Sequence, residues 1–223
     1  MRSESWKAPT VIPERFCIDY PSRVLTLLER LSPQAAEMDL STTFVVSLAM
    51  PMLVIPFERL KAGHVFSDAK VDSSLHDALE RMRPMRFCDT PFWAESDRKR
   101  WHFAHVTKNV DRPSDWLDAD GEHPLRRNSA GSAEDVPFDD IIHTMRHGLA
   151  HGCVVYLDEN GDERPDRRVT QVAFLSKPKE VIGLPAGSRR VVIVEEEAFR
   201  SFLVVWCRWL QGFGLSATLR LAA

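Results

Sequence analysis

Apolar residues recur at helical spacing along much of this chain, and the places where that rhythm breaks divide it into elements. In Pro21 to Leu31 (PSRVLTLLERL), Val24, Leu25, Leu27, Leu28 and Leu31 share one side of a short amphipathic helix, and Pro21 suits its first turn. Ser32-Pro33 interrupts the pattern. A long second helix is expected from Pro33 to about Leu60, kinked where Pro51 and Pro56 remove backbone donors. A third is expected at about Ser73 to Met82, with Leu75 and Leu79 on its inner side. From Arg83 to Val136 the periodicity fades into an irregular insertion, and Asp111 to Asp135 has the composition of a loop. Within the insertion, Phe92, Trp93, Trp101 and Phe103 are expected to pack it onto the core rather than to stack on bases.

Order returns at Val136 with a helix that runs to His151 and is ended by Gly152. Cys153 to Leu157 and Val169 to Leu175 then read as two strands joined through Asn160-Gly161, and Arg190 to Val194 as a possible third. The last helix opens on Glu195, Glu196 and Glu197, whose charges suit a helix N-terminus. It continues through Phe199, Phe202, Leu203, Trp206 and Leu210, and Gly212 and Gly214 close it. The resulting expectation is one domain over residues 1–223 of mainly α class. It is a helical bundle with an irregular insertion at about 83–136 and a small β-hairpin, at about 153–194, before the C-terminal helix.

Charge narrows the function. With 29 Lys and Arg against 32 Asp and Glu, a net charge of −3 and a pI near 6.2, the chain does not coat nucleic acid by bulk electrostatics, so any such contact is local. Arg126-Arg127 is one local basic spot; Arg167-Arg168 and Arg189-Arg190 are others. Cys17, Cys88, Cys153 and Cys207 are scattered, with no CxxC pair, as suits a reducing compartment. The N-terminal residues lack a secretory pattern, so a cytoplasmic location is expected. Leu40 to Phe57 is uncharged and almost long enough to cross a bilayer. Ser41, Thr42, Thr43, Ser47, Pro51 and Pro56, with no aromatic belt, make it a buried helix instead, and no membrane contact is expected.

The helix over Val136 to His151 carries the candidate chemistry. At about 100° per residue, Phe138, Ile141, Ile142, Met145 and Leu149 form a core stripe. Asp139, Asp140, His143, Thr144, Arg146, His147, Ala150 and His151 occupy the other arc, and Gly148 and Ala150 leave room for a substrate or a second helix. Arg146, His147 and His151, within the string RHGLAHG, resemble the motif of the HEPN superfamily: an arginine, a polar residue, then a histidine a helical turn or more later. Some members carry a tyrosine two residues after that histidine, where this chain has Cys153, with Tyr156 further on.

The resemblance implies a HEPN-like helical bundle and metal-independent cleavage of RNA, in which the ribose 2′-hydroxyl attacks the adjacent phosphate and leaves a 2′,3′-cyclic phosphate. No cofactor and no metal are implied. The residue types suit that reaction. His151 can exchange a proton near neutral pH and, at a helix C-terminus, is favoured as imidazolium. Arg146 offers a forked cation to the phosphate, and His147 orients it or shares the proton transfers. His143, Arg126 and Arg127 are candidate RNA contacts. The resemblance also implies a homodimer with a composite cleft, working as a toxin or defence effector with a possible antitoxin partner. Three other readings compete. Arg146 can simply pair with Asp139 or Asp140 on a solvated face. The Asp139, His143, His147, His151 ladder at i+4 steps can hold a metal ion on adjacent rungs. Lastly, the chain can be a non-catalytic binding module, such as an antitoxin or adaptor.

Overall fold

Helix α1 (Phe16–Glu37) runs through Ser32-Pro33 without a break. Ser32 Oγ donates to the Leu28 carbonyl one turn back, and the break falls instead at Met38 to Leu40, where Asp39 takes a left-handed conformation (φ 57°). Aspartate tolerates that geometry better than most residues. Helix α2 (Ser41–Arg59) follows, so the expected boundary between the first two helices moves by several residues. The computed structural model describes residues 12–13, 15–61, 63–107, 112–118, 120–126, 131–177 and 187–221.

Helix α2 is the one helix among the described residues with the length and apolarity to cross a membrane. Here it packs against α1 and two later helices, with Val45, Ala49, Met52 and Leu53 fully buried. Pro56 cannot donate to the Met52 carbonyl. The indole Nε1 of Trp206 donates to it instead, at 2.9 Å.

After α3 (Ser73–Met82) come β1 (Trp101–Val106), α4 (Phe138–His151), β2 (Val154–Leu157), β3 (Gln171–Ser176), β4 (Arg189–Glu195) and α5 (Glu196–Leu221). The four strands form one antiparallel sheet in the order β1-β4-β3-β2. This corrects the expectation of a mainly helical bundle with a small hairpin: the molecule is a mixed α and β fold. The strand left out of that expectation is β1, which lies inside the supposed irregular insertion and pairs with β4, Trp101 opposite Val194 and Val106 opposite Arg189. Its sequence, WHFAHV, places His105 among the positions facing the helices, so a two-residue alternation is blurred.

Both faces of the sheet are covered. Trp101, Val172, Phe174, Val192 and Val194 face the helices; Ala173, Leu175, Val191 and Ile193 face the other way, under the fully buried Trp116 and the side of Leu125. The part of the insertion around Trp116 and Leu125 is therefore the second cover of the sheet. The insertion's other aromatics behave as expected: Phe92 and Trp101 are buried, and Trp93 and Phe103 pack on the core. Helix α5 continues through Gly212 and Gly214, which do not end it.

On β1, burial holds the His102 imidazole below its usual pKa, and burial followed by the Arg190 charge does the same for His105. An unfolded histidine protonates near about 6.5, so the unfolded chain binds more protons below that pH and stability falls with it. Urea midpoints are expected to drop between pH 7.5 and pH 5, and less so in His102→Gln.

Candidate functional site

Helix α4 is held from both ends and along one side. Asp139 and Asp140 sit in its first turn, where the helix field favours negative charge. Gly152 closes it in the left-handed conformation (φ 66°), its N–H donating to the Gly148 carbonyl. Phe138, Ile141, Ile142 and Met145 are buried, and Leu149 packs beside them. Asp139 pairs with Arg83 at 3.3 Å, and Asp140 with the buried Arg190 of β4 at 2.8 Å. The hydroxyls of Thr144 and Ser176 meet at 3.2 Å, which sets the helix against the end of β3.

Gly148 completes that seating. A Cβ there would come within 3.0 Å of both the Cys153 carbonyl oxygen and Phe174 Cβ. The space the sequence assigned to a substrate or second helix at this position is filled by the protein's own sheet. Overpacking of this kind costs about 1–3 kcal/mol, against about 1 kcal/mol gained in helix propensity. Gly148→Ala is therefore expected to lower the unfolding free energy in urea, by up to about 2 kcal/mol.

The imidazoles lie along the solvent side. Nδ1 of His147 is 3.3 Å from the Leu175 carbonyl oxygen. The N–H of Leu175 donates to Cys153 and the β2–β3 pairing starts at Val154 and Phe174, so its carbonyl points past the end of β2. His147 supplies the donor that a further β2 residue would have given. A carbonyl only accepts, so in the neutral ring Nδ1 carries the proton and Nε2 keeps its lone pair. His151, exposed in the last turn, has its ring centroid 4.5 Å from that of His147, and His143 lies 6.2 Å away on the other side.

Arg146 turns to the opposite flank. Its Nη2 is 2.5 Å from Glu58 Oε1 of α2, and its Cζ lies 4.5 Å from the centre of the Phe57 ring. Only 14% of the side chain is exposed. Burial lowers its pKa, opposed by the Glu58 charge; burial likewise opposes ionisation of Glu58, but Lys61 and Arg146 outweigh it and hold that carboxyl below its usual range. Neither first-turn acid is this cation's main partner. The guanidinium lines a cleft of about 220 Å³ with Phe57, Leu60, Leu79 and the chains of Lys61, His76 and Arg83.

The structure thus brings His143, His147 and His151 together and turns Arg146 onto α2. Arg126 ends a short turn, Pro124–Arg126, on the far side of the sheet from α4, and Arg127 lies outside the described residues. Among the described residues no group of three or more His, Cys, Asp or Glu side chains is placed to hold a metal ion. Sequence reasoning missed Glu58, Phe57 and the Leu175 carbonyl. Glu58 had a signal, being the first charge after the long apolar run of α2; a backbone carbonyl has none. The chain matches no family model, and no curated protein and no solved structure is significantly similar to it.

Proposed function

We propose that this protein is a cytoplasmic, metal-independent endoribonuclease that uses His147 and His151 as its proton-transfer pair. The observation that carries the proposal is the oriented His147 ring, whose Nδ1 is engaged by Leu175, beside the exposed His151. The likeness of RHGLAHG to the HEPN motif supports the choice of RNA. In this scheme Nε2 of His147 takes the proton of a ribose 2′-hydroxyl as its oxygen bonds to the adjacent phosphorus. The bond to the 5′-oxygen breaks, and protonated His151 gives that oxygen its proton. The products are a 2′,3′-cyclic phosphate and a 5′-hydroxyl, and no metal ion is needed.

The exposed edge of α4, with Ala150 and His151, leaves a surface on which a second α4 can lie, so the working unit in this proposal is a homodimer with a composite cleft. Arg146 acts through others: by gripping Glu58 and Phe57 it fixes α4 against α2, and it is a positioning residue. The same grip favours a second reading, a non-catalytic partner in a toxin pair, because a guanidinium held by its own glutamate does not meet phosphate.

The two are separated by digesting a mixed RNA pool in EDTA with wild type and His151→Ala. The wild type is expected to cut and His151→Ala to lose at least about 100-fold in rate. Equal rates, or an inactive wild type that is also harmless when expressed, would leave the binding module standing.

A further inference from the structure

His147 and His151 lie one turn apart on α4, with ring centres 4.5 Å apart and ring planes at 46°; the centres of His143 and His147 are 6.2 Å apart. An ion held by two imidazole Nε2 atoms at about 2.0–2.1 Å sets the ring centres about 4.5–5 Å apart when the two bonds meet at a right angle or somewhat more. The two rings already stand at that separation. Nδ1 of His147 is engaged by the Leu175 carbonyl at 3.3 Å, the outer contact by which metal-binding histidines are commonly held, and it leaves Nε2 as the lone-pair donor. His151 is exposed, open to an ion from solvent. It also sits in the last turn of the helix, where the carbonyl ends favour a cation. The spacing between the two is fixed, because Gly148 seats the turn between them against Phe174 and the Cys153 carbonyl, and Gly152 closes the helix one residue after His151.

We infer that His147 and His151 form a binding site for one transition-metal ion of the imidazole-seeking class, zinc, nickel or copper, and that its occupancy silences RNA cleavage. The site follows from the geometry of the two rings; the silencing rests on the ribonuclease reading. An ion on both rings takes the lone pair that would accept the 2′-hydroxyl proton and occupies the nitrogen that would deliver a proton to the departing oxygen. Magnesium and calcium, which take oxygen ligands, do neither. Among the described residues no third His, Cys, Asp or Glu side chain joins the pair, so water fills the other positions. Structural zinc sites are closed by four protein ligands and catalytic ones have three. A site with two binds weakly and gives its ion up readily, as suits a brake that responds to free metal rather than a resident cofactor.

The probes are Zn²⁺ and Ni²⁺ alone, titrated calorimetrically into protein made without a histidine tag and stripped with EDTA. Wild type is expected to bind either ion in the micromolar range and to show no binding of Mg²⁺. His147→Gln, which keeps a donor for the Leu175 carbonyl, and His151→Ala are each expected to bind at least about tenfold more weakly while melting like wild type. In cleavage assays without chelator, saturating Zn²⁺ is expected to slow the wild type at least about tenfold, EDTA to restore the rate, and Mg²⁺ to leave it unchanged. No binding by wild type, or undiminished affinity in both variants, would overturn the site. Undiminished cleavage with the site saturated would overturn the silencing and leave the ribonuclease standing; metal binding with these properties in a protein that cuts no RNA would sustain the site and defeat the nuclease.

Discussion

Replacing His147 by alanine is expected to slow RNA cleavage by about 10²–10⁴-fold, the usual contribution of one positioned acid or base. The fold should survive, because the ring is only half-buried and water can replace it at the Leu175 carbonyl; the unfolding free energy should stay within about 1 kcal/mol of wild type. His147→Gln sharpens the result. Its amide can donate to Leu175 as the imidazole does, yet it has no titrating nitrogen to take a proton from the 2′-hydroxyl. Rate assays and urea melts on the same preparations check both halves. A His147→Gln variant that cuts as fast as wild type would show that the ring only holds the strand end.

Trp206→Ala should have the largest effect on stability. The indole is completely buried, stacks on Phe57 at 5.3 Å, meets Phe92 edge-on and lies 5.6 Å from Trp209. Truncating a buried tryptophan costs about 3–5 kcal/mol, and here the Met52 carbonyl left without a donor by Pro56 also loses its partner. Trp206→Phe isolates that second effect. It keeps most of the ring contact and should lose about 1–3 kcal/mol. Because Phe57 carries Arg146 on the side of the molecule where Trp206 supports it, the alanine variant should also loosen the grip between α2 and α4. Urea unfolding followed by tryptophan fluorescence measures the losses, and a change below 1 kcal/mol for Trp206→Ala would contradict this account of the core.

The legible parts of the fold were those written in local spacing. The stripe Phe138, Ile141, Ile142, Met145 on α4, the Gly152 stop, the β2–β3 hairpin and β4 could all be read from neighbours in the chain. The errors came where distant partners decide. Strand β1 owes its conformation to β4, nearly ninety residues away, and its own alternation is spoiled by His105, so nothing local announces it. Ser32-Pro33 looks like a boundary because proline removes a donor, but the packing of α1 on α2 and α5 carries the helix on to Glu37. Gly212 and Gly214 are passed in the same way by α5.

At the site, the clustering of the three histidines followed from helical spacing alone. The direction of Arg146 did not. It lies on the same solvent arc by angle, but a long side chain goes where its charge is met, and Glu58 and Phe57 of another helix decide that. Gly148 was misread for a related reason. A small residue shows that something comes close, and only the fold reveals that the neighbour is β3 rather than a ligand.

The most direct measurement uses a DNA strand carrying a single ribonucleotide, incubated with the wild-type protein in EDTA, with the fragment ends identified by mass spectrometry. Two imidazoles that act on a 2′-hydroxyl should cut once, immediately 3′ to the ribose, leaving a 2′,3′-cyclic phosphate and a 5′-hydroxyl. An intact strand, a cut at any deoxyribose, or an activity that appears only when a divalent metal is restored would contradict the account.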